Sequence, residues 1–258
     1  MTTKPHIQQP SDQHPSDRHP SDRPTTPVAL VTGGSTGLGR SLVHVLAATG
    51  WRVITTARNA AELEEAHSGR VGITVRPGDL RSADHRSALA QTVREHGRLD
   101  LLVHNASDLG PTPLPPLADV RPEQLHDVLE VNLVAPIALT SLLLPLLSRD
   151  NGVLLSLSSD AAVEHYPGWG AYGASKAALD HATLTLAAEN QLRGYAVDPG
   201  DMRTRMHQAA FPGEDISDRP SPESVVPHLL ALIPSGLASG RYRAADIDAS
   251  LLVEGAAR

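Results

Sequence analysis

The sequence predicts an α/β protein in three layers, α/β/α, with a doubly wound parallel sheet between two layers of helices. Two observations predict this class: short β-rich runs, several of them apolar almost throughout, and intervening helical patterns long enough for crossover connections. A chain of 258 residues with 40% hydrophobic content can bury one sizeable core, so we expect a single domain. The architecture is Rossmann-like, and such sheets bind ligands beyond the carboxyl ends of their strands.

The predicted elements follow a polar tail. Residues 1–27 are rich in Pro, Ser, Asp and His, and a short unit beginning Pro-Ser-Asp recurs three times, which predicts a disordered tail before a catalytic domain at 28–258. The sequence predicts a helix over 40–48 and further helices beginning near Pro122 and Ser224. The predicted strands are 28–32, 52–56, 72–76, 99–104, 153–157 and 194–197.

Composition excludes several classes of function. The formal charge is -7 with no long basic stripe, and no apolar run approaches the roughly 20 residues of a membrane span, so we expect neither nucleic acid nor a membrane as partner. No targeting pattern is visible, and we expect a cytoplasmic protein. The absence of cysteine excludes disulfides and a thiol nucleophile. We expect no metal, and no Gly-x-Ser-x-Gly elbow indicates a hydrolase.

A glycine-rich loop joins the first predicted strand to the first helix. Glycines let the backbone approach a pyrophosphate closely, and the helix N-terminus adds oriented N–H groups. The alternative is a turn that merely joins the two elements. The spacing matches neither the G-x-G-x-x-G fingerprint nor the Lys-bearing P-loop. The loop reads Thr32-Gly33-Gly34-Ser35-Thr36-Gly37-Leu38-Gly39.

A second motif places a phenol, an ammonium and a hydroxyl in one short region. Tyr172 and Lys176 are four residues apart, and Ser159 precedes the tyrosine by thirteen. On a helix, positions i and i+4 share a face, so the lysine cation is expected to favour tyrosinate and lower the pKa of the phenol. The pattern indicates a proton-transfer site; the alternative is a pair of unconnected surface residues.

Taken in chain order, these motifs resemble those of the short-chain dehydrogenase/reductase family over roughly residues 28–204. Further segments carry the same resemblance: Asp79-Leu80, His104-Asn105-Ala106-Ser107, and Pro199-Gly200 with Thr204. The resemblance implies contacts to the adenine, the ribose and the nicotinamide from these segments. It also implies a catalytic tetrad formed by Asn132, Ser159, Tyr172 and Lys176.

The end of the second strand favours NADP over NAD. Ala57 stands where an NAD enzyme carries a carboxylate for the ribose 2′-hydroxyl, and Arg58 follows it. An arginine can bind a 2′-phosphate through charge-assisted hydrogen bonds; the alternative is an exposed arginine without a ligand. The residues expected to bind the cofactor are Gly33, Ser35, Thr36, Gly37, Leu38, Gly39, Arg58, Asp79, Leu80, Asn105, Ala106, Tyr172, Lys176, Pro199, Gly200 and Thr204.

The resemblance implies that Tyr172 donates a proton to a substrate oxygen that Ser159 also binds, while Lys176 binds the nicotinamide ribose. Pro136 lacks the N–H that would bond to the carbonyl of Asn132, so we expect a kinked helix and a free carbonyl that holds a relay water. The implied function is NADPH-dependent reduction of a ketone or aldehyde, or the reverse, in a homodimer or homotetramer. The alternatives are an epimerase or dehydratase and a non-catalytic NADP sensor or scaffold.

Two departures from the family pattern give further expectations. Ser107 replaces the usual glycine, which predicts looser cofactor binding, and the short passage over 189–199 predicts a rearranged sixth strand. A loop of about twenty residues after Thr204 is expected to cover the substrate. Asp160 either contacts a polar substrate group or stabilises a turn. The segment with His165, Tyr166 and Trp169 either forms a pocket wall or packs on its own scaffold.

Overall fold

Strands and helices alternate along the chain. The computed structural model describes residues 25–251, so nearly all of the predicted tail lies outside the described residues. The strands are β1 Val28–Thr32, β2 Arg52–Thr56, β3 Ile73–Val75, β4 Leu101–His104, β5 Val153–Leu157, β6 Arg193–Asp198 and β7 Gly240–Arg243. The helices are α1 Gly37–Ala48, α2 Ala60–His67, α3 Ala83–His96, α4 Pro122–Leu129, α5 Ala135–Arg149, α6 Gly170–Asn190, α7 Arg205–Ala210 and α8 Pro222–Ala231.

The seven strands form one parallel sheet in the order β3-β2-β1-β4-β5-β6-β7. The chain builds outward from β1 to β3 and then crosses back to β4 on the other side of β1. The strand order therefore reverses between β1 and β4, which is where doubly wound sheets bind ligands. The predicted fold class is confirmed.

The sheet corrects three expectations from the sequence. β7 was not predicted at all, and β4 begins at Leu101 rather than at residue 99. The sixth strand is regular rather than rearranged, because Gln191 takes a left-handed conformation (φ 55°) that ends α6 and returns the chain directly to β6. The expected loop after Thr204 contains α7.

The core lies on both faces of the sheet. Side chains alternate along a strand, so Ala29 and Val31 pack on the face that α1 and α8 cover, and Val28 and Leu30 pack on the face of α3 and α5. The layer order α/β/α follows from this alternation.

One long helical stretch, Pro122–Arg149, passes through a π-helical turn at Glu130–Val134 that joins α4 to α5. The turn lies just before Pro136, so the predicted disturbance of the helix takes the form of a widened turn. By length and composition alone, this stretch is the one candidate membrane span among the described residues, and its most apolar window has a mean hydropathy of 1.9. Packing accounts for part of that hydropathy, because 44% of its most apolar window is buried.

Candidate active site

A cleft of about 880 Å³ opens at the carboxyl ends of the strands. It brings together all of the predicted cofactor-binding residues except Gly39, and three of the four predicted catalytic residues. The fourth, Asn132, is fully buried behind the cleft wall. The sequence motifs, which are spread over more than 170 residues, therefore converge on one site.

The glycine loop is held against β2 and the end of β4 by close backbone contacts. The backbone N–H of Gly33 donates to the carbonyl of Thr56 at 2.8 Å. The side-chain Nδ2 of Asn105 donates to the carbonyls of Thr32 (2.9 Å) and Gly33 (3.0 Å). A Cβ at Gly39 would lie 2.2 Å from the Gly33 oxygen. Gly39 therefore packs behind the loop, and the loop leaves an open cradle at the first turn of α1 that suits a pyrophosphate.

Guanidinium groups line the cleft at the predicted 2′-phosphate end. Arg58 is exposed there, and its charge helps Arg81 to hold the pKa of Asp79 below its usual range. Sequence reasoning missed a contact across this end: Glu62 accepts from the Ser35 hydroxyl at 3.1 Å and pairs with Arg205 of α7 at 2.7 Å. The residues fit a phosphorylated dinucleotide, since cationic side chains and a glycine cradle face one cleft.

Helix α6 carries the phenol and the ammonium on one buried face. The Lys176 ammonium donates to the carbonyl of Leu157 at 2.7 Å and lies 5.5 Å from the centroid of the Tyr172 ring. Burial lowers the pKa of Lys176 to about 8 and raises the pKa of Tyr172 above its ordinary value. The lowered pKa that the sequence predicts for Tyr172 is thus not found in the cofactor-free protein, because burial has the largest effect on the phenol and raises its pKa.

Ser159 lies just past the end of β5, at the first turn of a short 3₁₀ helix. Its hydroxyl accepts from the backbone N–H of Ala161 at 3.2 Å and donates to Asp160 Oδ1 at 3.0 Å. Asp160 Oδ1 also accepts from the Ala161 N–H at 2.8 Å, and its Oδ2 accepts from the Tyr166 hydroxyl at 3.1 Å. Asp160 both stabilises this turn and lines the cleft.

Asn132 is a buried connector between α6 and the loop after β4. Its Oδ1 accepts from the backbone N–H of Asp108 at 2.7 Å, and its Nδ2 donates to the Asp108 carbonyl and to Ser175 Oγ, both at 2.8 Å. Ser175 Oγ in turn donates to the carbonyl of Tyr172 at 2.6 Å. Both polar atoms of the Asn132 side chain are thus engaged, and together they tie α6 to the loop after β4.

Ser107, in the position of the usual family glycine, takes part in the hydrogen bonds around Asn132. Its hydroxyl donates to Asn132 Oδ1 at 3.2 Å. The same hydroxyl lies close enough to the phenol of Tyr172 to oppose, in part, the increase in the pKa of Tyr172 that burial causes. The one signal of Ser107 in the sequence is that it replaces a glycine of the family motif, and the looser cofactor binding expected from that replacement stays a prediction.

Aromatic rings border the cleft beside the phenol. The Trp169 ring lies 5.7 Å from the Tyr172 ring and 5.9 Å from the Phe211 ring, and Phe211 lies 4.9 Å from His207. Trp169 and His207 line the cleft, whereas His165 is exposed outside it. Trp169 therefore forms part of the pocket wall, which was one of the two interpretations of the segment with His165, Tyr166 and Trp169.

The strand-end histidine has a structural role. His104 is buried with Nε2 2.7 Å from Thr140 Oγ1, and burial lowers its pKa to about 3, so it is neutral at physiological pH. Within residues 25–251, no group of three or more His, Cys, Asp or Glu could hold a metal ion.

A glycine cradle at the switch point of a parallel sheet, facing a buried tyrosine and lysine, defines a nucleotide-binding α/β protein. A family model of the short chain dehydrogenases matches residues 27–215, and the chain belongs to this family of oxidoreductases. It is 36% identical over 217 residues to the uncharacterized oxidoreductase YciK of Escherichia coli, covering 80% of this chain and 85% of that protein. It is 32% identical over 219 residues to the benzil reductase IRC24 of Saccharomyces cerevisiae, covering 79% and 80%.

Solved structures give the same family. A protein of Shigella flexneri assigned to the short chain dehydrogenases, in complex with NADP, matches with a TM-score of 0.79 at 33% identity, covering 85% of this chain and 97% of that one. An Escherichia coli protein of the same assignment, in complex with NADPH, matches with a TM-score of 0.78 at 33% identity, covering 84% and 96%.

Proposed function

We propose that this protein is an NADPH-dependent oxidoreductase that reduces a ketone or aldehyde to an alcohol. The observation that carries the proposal is the convergence of Ser159, Tyr172 and Lys176 on the cleft that the glycine loop and Arg58 also line. The structural relatives with NADP and NADPH support the choice of cofactor. The absence of a carboxylate at Ala57 supports it independently.

In this proposal the glycine loop binds the pyrophosphate, Arg58 binds the 2′-phosphate, and Pro199, Gly200 and Thr204 border the nicotinamide. The reduced nicotinamide supplies a hydride to the carbonyl carbon. Lys176 binds the adjacent ribose. These residues would hold the carbonyl carbon of the substrate close to both the nicotinamide and the proton donor Tyr172. Such a fixed orientation lowers the barrier of the reaction.

Tyr172 supplies the proton. Burial raises the pKa of its phenol, so the group is protonated at neutral pH and is ready to act as an acid towards the substrate oxygen. Ser159 donates a hydrogen bond to the same oxygen as negative charge develops on it. Reduction uses the protonated phenol as the acid, whereas oxidation of an alcohol uses the tyrosinate as the base.

The test is consumption of NADPH in the presence of a panel of ketones and aldehydes, followed by loss of its absorbance. Tyr172→Phe keeps the ring and removes the hydroxyl, and we expect the rate to fall by at least about 100-fold. An unchanged rate in Tyr172→Phe would contradict the proposal. Product formation without net loss of NADPH would favour epimerisation or dehydration, in which the nicotinamide is used transiently.

We further propose that the protein self-associates through the surface around α4 and α5. More than half of the apolar window in Pro122–Arg149 is partly or fully exposed, and Val134 is 44% exposed in the π-helical turn. Apolar surface of this kind on a core helix favours contact with a second copy.

A further inference from the structure

The Ser159 hydroxyl has a competing acceptor. A serine hydroxyl has a single proton to donate, and in this structure it goes to Asp160 Oδ1 at 3.0 Å. The proposed role of Ser159 requires that proton to point at the substrate oxygen. A carbonyl oxygen is a weaker acceptor than a carboxylate, so a simple ketone competes poorly for it.

The charge of Asp160 is not balanced by a nearby cation. No Lys, Arg or His within residues 25–251 lies within 4.0 Å of its carboxylate oxygens, and its second oxygen bonds only the neutral phenol of Tyr166. Asp160 lines the cleft and, after burial, is among the groups that raise the pKa of Tyr172. A carboxylate here opposes the negative charge that develops on the substrate oxygen.

The cleft wall beside Tyr172 suits a flat molecule, and Asp160 in the same cleft suits a cation. Trp169 and Leu109 line the cleft next to Tyr172, and Phe211 packs against the Trp169 ring with the ring centroids 5.9 Å apart. Aromatic faces stabilise an aromatic group by stacking and a cation by its attraction to the ring electrons. An uncharged aliphatic substrate could neither stack on these rings nor be attracted by their electrons as a cation is.

We propose that the preferred substrate is an aryl ketone or aldehyde that carries a protonated amine on the first or second carbon beyond the carbonyl. The ammonium binds Asp160, which releases the Ser159 proton to the carbonyl oxygen, and the aryl group packs against Trp169. The amine nitrogen then lies within roughly 6 Å of the carbonyl oxygen, because hydrogen bonds of ordinary length join both groups to adjacent residues. This inference rests on the proposed function, since it assigns the substrate class of the same site.

Binding to the cofactor-free protein tests the charge requirement without turnover. The probes are 2-aminoacetophenone with its amine on the side chain beside the carbonyl, and propiophenone, in which a methyl group replaces the ammonium. Trp51 and Trp169 are the two tryptophans, so Trp51→Phe leaves Trp169 as the fluorescent reporter. We expect the amino ketone to bind about tenfold tighter or more.

Asp160→Asn should reduce that preference to about twofold or less, because an amide keeps the shape and removes the charge. The matched control is Asp201→Asn, since Asp201 also lines the cleft but pairs with His207 and Arg219; it should keep the preference. Equal binding of the two ketones, no saturable binding of the amino ketone, or an unchanged preference in Asp160→Asn would overturn the inference.

Kinetics separate this inference from the proposed function. With NADPH present, wild type should reduce the amino ketone with a kcat/KM about tenfold or more above that of propiophenone, and Asp160→Ala should raise the rate on propiophenone by freeing the Ser159 proton. Reduction of both ketones at equal kcat/KM would overturn the substrate assignment and leave the reductase intact. Selective binding of the amino ketone without any reduction would contradict the proposed function while the charge requirement stands.

Discussion

At the scale of single residues, Arg58 decides the predicted choice of cofactor. It is exposed at the cleft, and a bidentate guanidinium contact would be made to the 2′-phosphate of NADPH but not to NADH. Arg58→Ala is expected to weaken NADPH binding by about 10- to 100-fold and NADH binding by less than about twofold. Titration of each reduced nucleotide by its fluorescence measures both.

The control for this prediction is Arg52→Ala. Arg52 is exposed at the start of β2, whereas Arg58 follows the other end of that strand, and Arg52 does not line the cleft. Its removal should therefore leave the affinities for NADPH and NADH unchanged. Equal losses for NADPH and NADH in Arg58→Ala would refute the assignment of the 2′-phosphate site.

Ser107 gives a second prediction at this scale. Ser107→Gly restores the usual family residue but removes the hydrogen bond to Asn132 and the polar hydroxyl near Tyr172, so kcat is expected to fall by about three- to tenfold. The Ser107 hydroxyl lowers the pKa of Tyr172, so its loss raises that pKa, and the pH profile of alcohol oxidation should move to higher pH. Ser107→Thr keeps the hydroxyl and should preserve the profile; a profile that does not move in Ser107→Gly would count against this role.

The sequence predicts Ser159, Tyr172 and Lys176 as site residues because all three lie in one short region, where their spacing can be read directly. It did not predict the contacts that surround them. The hydrogen bond from Ser107 to Asn132 joins residues 25 positions apart, and the ion pair between Glu62 and Arg205 joins two elements from different parts of the chain. Such contacts depend on packing, which no local pattern encodes.

At the scale of elements, the loop between β1 and α1 depends on close packing of glycine. A Cβ at Gly39 would lie 2.2 Å from the Gly33 oxygen and 2.3 Å from Asn105 Nδ2, so Gly39→Ala must displace the loop or the helix. We expect a loss of about 1–3 kcal/mol in the free energy of unfolding and at least about tenfold weaker NADPH binding, measured by thermal unfolding and titration.

Gly240→Ala in β7 is the matched control. A Cβ there would meet the ring of Tyr242 at 3.4 Å, an ordinary contact. This variant should bind NADPH normally. If Gly39→Ala binds NADPH as tightly as wild type does, the loop tolerates the extra atom and a glycine at position 39 is not needed for the cofactor.

The same packing argument explains which strands the sequence could predict. β1, β2 and β5 were predicted with their exact bounds, because central strands of a parallel sheet are buried on both faces and form apolar runs. β7 was missed because it is a four-residue edge strand, Gly-Arg-Tyr-Arg, that is only partly buried. Its place is fixed by pairing with β6, which joins residues more than 40 positions apart.

At the scale of the whole molecule, the surface around α4 and α5 predicts an assembly larger than one chain. Val134 is 44% exposed in the π-helical turn. In the same helical stretch, Pro122–Arg149, only 44% of the most apolar window is buried within the protein. A chain of 27.3 kDa should therefore scatter light as a dimer or tetramer. Val134→Glu would place a charge in that interface, and burial of an unpaired carboxylate costs several kcal/mol, so we expect it to shift the protein towards monomer.

Val71→Glu is the control for the general effect of adding a charge. Val71 is 92% exposed in the turn before β3, at the opposite edge of the sheet from β7, so its replacement should leave the assembly unchanged. If both variants and the wild-type protein scatter as monomers, the proposed self-association is wrong. If only Val134→Glu dissociates while its NADPH affinity stays within about twofold of wild type, the interface is separate from the cofactor site, because the cleft opens at the carboxyl ends of the strands and does not include Val134.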